Sequence, residues 1–147
     1  MQSDDALGKL VYELQILRGL EESIQQRIAY VNAAITELEL ATSTLEGIGS
    51  GGLEDALLVP IGGSSYIRAK LEDSNKLIVG IGADVAVEKT VGEAKEGFQA
   101  RILEFEQVRT SLQQQLDEVS TKLDGLQREI QSMTRQAGGE AGDVRGT

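Results

Sequence analysis

Residues 7–45 read LGKLVYELQILRGLEESIQQRIAYVNAAITELELATSTL, and one spacing runs through them. Leu7, Leu10, Leu14, Leu17, Glu21, Ile24, Ile28, Val31, Ile35, Leu38, Thr42 and Leu45 alternate at steps of three and four, and ten of the twelve are apolar. With 3.6 residues to a helical turn, that spacing lays all twelve on one narrow seam. Its sustained average of 3.5 predicts a left-handed supercoil, so the segment reads as half of a coiled coil. The pattern returns as Phe98, Ile102, Phe105, Arg109, Leu112, Leu116, Val119, Leu123, Leu126, Ile130, Met133 and Ala137, with Arg109 its sole polar member. Each seam would be about 57 Å long at 1.5 Å per residue. Folding the chain back on itself therefore lets one arm serve as the partner of the other, as an antiparallel hairpin. Gly8, Gly19 and Gly125 each cost a helix about 1 kcal/mol relative to Ala. Packing offsets this, because each buried Leu or Ile contributes roughly 1.5–3 kcal/mol.

Local chemistry sets the expected boundaries. Ser3, followed by Asp4 and Asp5, can cap the first helix and favour its positive end, and Gly47 can close it in a left-handed conformation. Thr90 and Glu93 stand at capping-box spacing before the second helix. Between the arms the period changes. Leu57-Leu58-Val59-Pro60-Ile61, Gly62-Gly63 and Ser65 to Leu71 read as one β-hairpin, with Pro60 at an edge or bulge because it lacks a donor. The turn Asp73 to Lys76 leads to Leu77-Ile78-Val79, a Gly80-Ile81-Gly82 bend, and Asp84 to Val91, where Val85, Val87 and Val91 share a face with Lys89. That reads as a second hairpin. Two such hairpins are too small to be stable alone and leave unpaired edges, so they call for strands from another chain. The assembly residues are then Val59, Ile61, Tyr66, Ile67, Leu77, Val79, Val85 and Val87.

The expected layout is thus an N-terminal coiled-coil helix over 1–47, two β-hairpins over 48–91, a C-terminal coiled-coil helix over 92–137 and a tail over 138–147. The tail is glycine-rich with few large side chains, so it reads as disordered. The fold class is mainly α with a small β part.

Composition removes most chemistry. The chain of 147 residues has no Cys, His or Trp, which excludes thiol, disulfide and imidazole mechanisms and zinc held by Cys or His. Twenty-four acidic residues against 14 basic give a net charge of −10, with two Phe and three Tyr, so phosphates are repelled and little is available for base stacking. Nucleic acid is not an expected partner. No apolar window reaches the roughly 20 residues of a membrane span, and the first residues lack a secretion signal, so the expectation is a soluble, cytoplasmic protein without membrane contact. The Gly80-Ile81-Gly82 step resembles the start of a dinucleotide-binding turn, but Val85 occupies the third glycine position and a strand pattern follows where a helix is needed. It reads as a glycine bend. No phosphate loop or calcium loop is present, and paired carboxylates such as Asp117-Glu118 read as a solvated helix face. No catalytic residue, metal site or cofactor is assigned.

Within the seams, Arg109 can snorkel its head to water or fix the register. Glu21 and Thr42 weaken the first seam, and neither falls opposite Arg109 when the arms are aligned by their ends. At the termini, Leu7, Leu10, Val11 and Leu14 would meet Leu126, Ile130 and Met133. Sequence physics favours a closed seam there; the alternative is a partly exposed apolar cluster that binds something.

The two arms flank Leu58-Val59-Pro60-Ile61-Gly62-Gly63, then Ser65-Tyr66-Ile67, then Val79-Gly80-Ile81-Gly82-Ala83 and Val85-Ala86-Val87-Glu88-Lys89. In this order and position the chain resembles the prefoldin alpha subunit of archaeal type, over nearly everything before the tail. The second hairpin marks the alpha class. The resemblance implies a chaperone that uses no ATP, a hexamer of two alpha and four beta subunits in which the hairpins join an inter-subunit β-barrel and the coiled coils project from it. It further implies that non-native client proteins are held at the coiled-coil tips, where the terminal cluster named above lies, and passed to a group II chaperonin. The competing readings are a structural spacer with closed tips and, from Gly80-Ile81-Gly82 alone, a nucleotide-dependent enzyme.

Overall fold

The computed structural model describes residues 2–50 and 56–144, with side chains over 4–48 and 56–138. Two long helices, α1 (Gln2–Ser50) and α2 (Val91–Val144), flank four strands, β1 (Leu57–Gly62), β2 (Ser65–Ala69), β3 (Lys76–Gly82) and β4 (Val85–Thr90). The chain divides into two compact units, one of residues 1–32 with 107–147 and one of residues 33–106.

In the first unit the two helical segments pair antiparallel. Ser120 Oγ donates to Glu21 Oε2 at 3.3 Å, and Arg109 Nη1 donates to Asn32 Oδ1 at 3.2 Å. Eleven residues up α1 correspond to eleven down α2, so the register is constant between the two ties. Seam residues Ile24, Val31, Leu112, Val119 and Leu123 form the buried core of this unit.

In the second unit Ile35, Leu38 and Ala94 are buried, and the four strands form two separate two-stranded sheets. In the first hairpin Pro60 pairs with Tyr66 and Gly62 with Ser65, which leaves Ile61 as a bulge. Pro60 thus sits beside an irregularity, as its missing donor requires. The second hairpin repeats this: Gly80 pairs with Ala86 and Gly82 with Val85 around Ile81. Both hairpins close through two-residue loops with positive φ, Gly63 and Ser64 at 57° in one, Ala83 at 51° and Asp84 at 60° in the other. That is the type I′ geometry whose twist suits a hairpin. Shifted by twenty residues, Leu57, Val59, Ile61 and Gly62 fall on Leu77, Val79, Ile81 and Gly82, so the hairpins are an internal repeat. Between them, Asn75 N donates to Asp73 Oδ1 at 2.9 Å, and Asn75 O accepts from Val91 N at 2.9 Å, tying the turn to the start of α2.

The cap on α2 forms as its spacing implies, with Glu93 N donating to Thr90 Oγ1 at 3.2 Å. Three boundaries differ from expectation. α1 starts at Gln2, so Ser3 lies inside the first turn and Asp4 and Asp5 provide its negative charge. Gly47 does not close α1 in a left-handed conformation; the helix runs through it to Ser50, with Ile48 half-buried. Glycine permits a left-handed stop but does not impose one. Finally, α2 continues through Gly138 to Val144 where a disordered tail was expected, with no proline to stop it; residues 145–147 lie outside the described ones.

Candidate interaction surfaces

The hairpins expose the side chains that a sheet normally hides. Val59, Ile61, Tyr66, Ile67 and Val85 are exposed, while Leu77, Val79 and Val87 are half-buried. Leu58, Ile78 and Ile81 join the exposed set, Ile78 at 78%. These three stand outside the expected assembly set, although near-continuous apolar runs in β1 and β3 are the mark of strands covered on both faces. Neither sheet closes into a barrel within this chain. The first hairpin's apolar side chains from Leu58 to Ile67, one face of the second, and the outer edge of each sheet are exposed in this chain.

The second surface lies at the end of the helical pair where the chain begins and α2 runs out. Among the described residues none before Ile24 on α1 and none after Leu123 on α2 is buried. Leu7, Leu10, Leu14, Leu126, Ile130 and Met133 are half-buried and Val11 is 38% exposed. The seam is therefore tight in its middle and loose at this end. Off the seam, Tyr12, Ile16 and Leu20 are exposed at steps of four, which puts them on one strip of α1. A search for seam positions overlooks them, though their own spacing would have shown the strip.

All three seam interruptions have hydrogen-bond partners. Arg109 reaches Asn32 and Glu21 receives Ser120, while Thr42 Oγ1 donates to the Leu38 carbonyl one turn earlier at 3.0 Å. Arg109 is half-buried, its guanidinium held by the facing helix.

A groove of about 470 Å³ lies in the second unit between β3 and the start of α2, with Lys89 and Arg101 in its lining. The Gly80-Ile81-Gly82 segment forms part of its wall. β4, not a helix, follows that segment, in keeping with a hairpin bend. No helix among the described residues is long and apolar enough to cross a membrane.

A family model described as "Prefoldin subunit" matches residues 17–136. The chain belongs to the prefoldin family. This prefoldin chain is 37% identical over 110 residues to prefoldin subunit alpha of Methanopyrus kandleri, covering 75% of this chain and 70% of that one. To prefoldin subunit alpha of Pyrococcus horikoshii it is 29% identical over 136 residues, 92% of each chain. A chain from the cryo-electron microscopy structure of filamentous PFD from Methanocaldococcus jannaschii shares its fold, with a TM-score of 0.66 and 24% identity over 83% of this chain and 98% of that one. The prefoldin family is one of chaperone subunits.

Proposed function

We propose that this prefoldin subunit is part of an ATP-independent holdase. It assembles through its hairpins with prefoldin beta subunits, two alpha and four beta, holds unfolded client proteins against the loose end of its helical pair, and delivers them to a group II chaperonin in the cytoplasm. The observation that supports this reading is the gradient of burial along the seam, from Leu123 buried to Leu126, Ile130 and Met133 half-buried. Unfolded chains display apolar side chains without a fixed sequence, and a loosely closed apolar seam offers contact without demanding one shape. Met133 is flexible enough to adapt to different guests. The chain's net charge of −10 keeps such surfaces from associating with one another.

The test is suppression of aggregation of a denatured client by the chain assembled with its beta-type partner. Replacing Leu10, Leu14, Ile130 and Met133 together by Ser is expected to weaken suppression while native mass spectrometry shows the assembly intact. Unchanged suppression by intact assemblies would reject these residues as the client surface and restore the spacer reading.

A further inference from the structure

Both arms of the helical pair carry, inside the helix, the signals of a helix end, and the register sets the two at nearly one height. On α1, Gly19 is followed by Leu20, Glu21 and Glu22. Glycine is accepted at a helix N-cap, and carboxylates in the first turn favour its positive end. Glu22 would stand at the third position, from which a glutamate reaches back to the N-cap amide. On α2, Gly125 follows Leu123 and Asp124, and glycine is the usual residue for ending a helix in the left-handed conformation. With Glu21 level with Ser120 and Asn32 with Arg109, Gly19 stands level with Lys122 and Gly125 with Ile16. The two glycines therefore bracket the height of Leu123, the last buried residue of α2 among the described ones.

In the structure both helices run straight through these points. Packing does not call for glycine at either: a Cβ on Gly19 or Gly125 would meet no atom within 4 Å, and neither has a positive φ. Inward of them the arms avoid the residue, with no glycine from 20 to 46 or from 98 to 124. One turn before Gly125, Thr121 Oγ1 donates to the Asp117 carbonyl at 2.9 Å, a bond that weakens and bends a helix. Just inward of Gly19, Ser120 Oγ donates to Glu21 Oε2 and ties the helices together. Outward lie 15 residues of α1, 4–18, and 12 of α2, 126–137. Isolated helices of that length are marginal in water, so once the seam parts there neither piece keeps its helix alone.

We propose that the helical pair has a second state with shorter arms, in which residues 4–18 and 126–137 unwind together, α1 then starting at Gly19 and α2 ending at Gly125. The Ser120–Glu21 bond is the stop that keeps this opening out of the buried seam. The second state stands on the backbone signals; its use rests on the reading of the loose end as the client surface. Unwinding releases Leu10 and Leu14 from Ile130 and Met133 and turns a closed seam into two flexible apolar strands for a guest.

The test is amide hydrogen exchange, read by mass spectrometry on the chain assembled with its beta-type partner, for wild type, Gly8→Ala, Gly19→Ala, Gly125→Ala and the last two combined. Each change favours the continuous helix, so loss of folding does not cloud the result. Gly8→Ala, inside the unwinding segment, should slow exchange about fivefold. Gly19→Ala and Gly125→Ala should each slow it more, because Ala also fits the caps of the open state poorly. In every case the slowing should cover both 4–18 and 126–137, the substituted helix and the facing one, since the two unwind as one unit. Glu21→Ala should spread fast exchange inward to 20–31 and 110–120, whereas Glu21→Gln, which keeps an acceptor oxygen, should not. Slowing confined to the substituted helix would overturn the joint opening, and boundary variants no slower than Gly8→Ala would overturn the assigned ends. The combined variant should also suppress aggregation of a denatured client less well. Slowed exchange with full suppression would uphold the second state and detach it from client holding.

Discussion

Arg109 and Asn32 join α2 to α1 through a 3.2 Å hydrogen bond, at a height on the helices set by a second tie, Ser120 to Glu21, eleven residues away. A wholly apolar seam tolerates slippage by a heptad, because one Leu looks much like the next. A polar group that finds its acceptor only in one alignment does not. Double-mutant cycles on Arg109→Ala with Asn32→Ala, and on Glu21→Ala with Ser120→Ala, should give coupling energies of about 0.5–1.5 kcal/mol within each pair. Between the pairs, roughly 16 Å apart along the helix, the effects should add. Thermal unfolding of the assembled protein measures this; no coupling within either pair would remove their role in setting the register.

The burial gradient predicts unequal penalties for similar substitutions. Leu123→Ala, in the buried part of the seam, should cost about 2–4 kcal/mol. Leu126→Ala, half-buried one step further on, should cost about half as much. Equal losses in denaturant melts would mean that the seam is as tight at its end as in its middle.

Tyr12, Ile16 and Leu20 stand outside the seam, so replacing all three with Ser should change stability by little, within about 0.5 kcal/mol per site. If the loose end holds clients, the same variant should suppress aggregation less well than wild type, because the exposed strip borders that end. Full suppression together with unchanged stability would leave this strip without a part in binding.

Ile78, at 78% exposure, and Leu58, at 64%, contribute little to their own hairpins. Ile78→Ser with Leu58→Ser should leave the helical content by circular dichroism unchanged yet shift native mass spectra from complexes with the beta-type chain toward free chain. Complexes at wild-type abundance would show that these faces are not covered by a partner.

Ala83 sits at a φ of 51°, where a side chain costs roughly 1 kcal/mol that glycine avoids. Ala83→Gly should raise the stability of the second hairpin by about that amount, offset in part by the freedom glycine gains when unfolded. Hydrogen exchange at the amides of β3 and β4 reads the change directly. Faster exchange in the variant would contradict the strain.

The helices were legible because Leu7 to Leu45 and Phe98 to Ala137 each repeat one spacing many times, and a long repeat outweighs any single glycine. The hairpins were legible from Gly62, Gly82 and the bulge-demanding Pro60. What an individual residue does at an element's end was less so: Gly47 allows a stop that α1 does not take, and Gly138 allows one that α2 does not take. The partner of Arg109 was out of reach for a different reason. Periodicity fixes which face of each helix is inward but not how far one helix is slid along the other, and Asn32 lies just off the seam, beside Val31. The apolar terminal cluster was located by region, whereas Tyr12, Ile16 and Leu20 escaped because attention to the inward stripe hides an outward one.

The two hairpins share one register twenty residues apart, but the residue before the bulge is Pro60 in the first and Gly80 in the second. A pyrrolidine ring removes one amide proton and bulks one spot on the first ribbon that the second leaves bare. Any third strand seeking a berth would thus meet two hairpins of like geometry that are not equivalent.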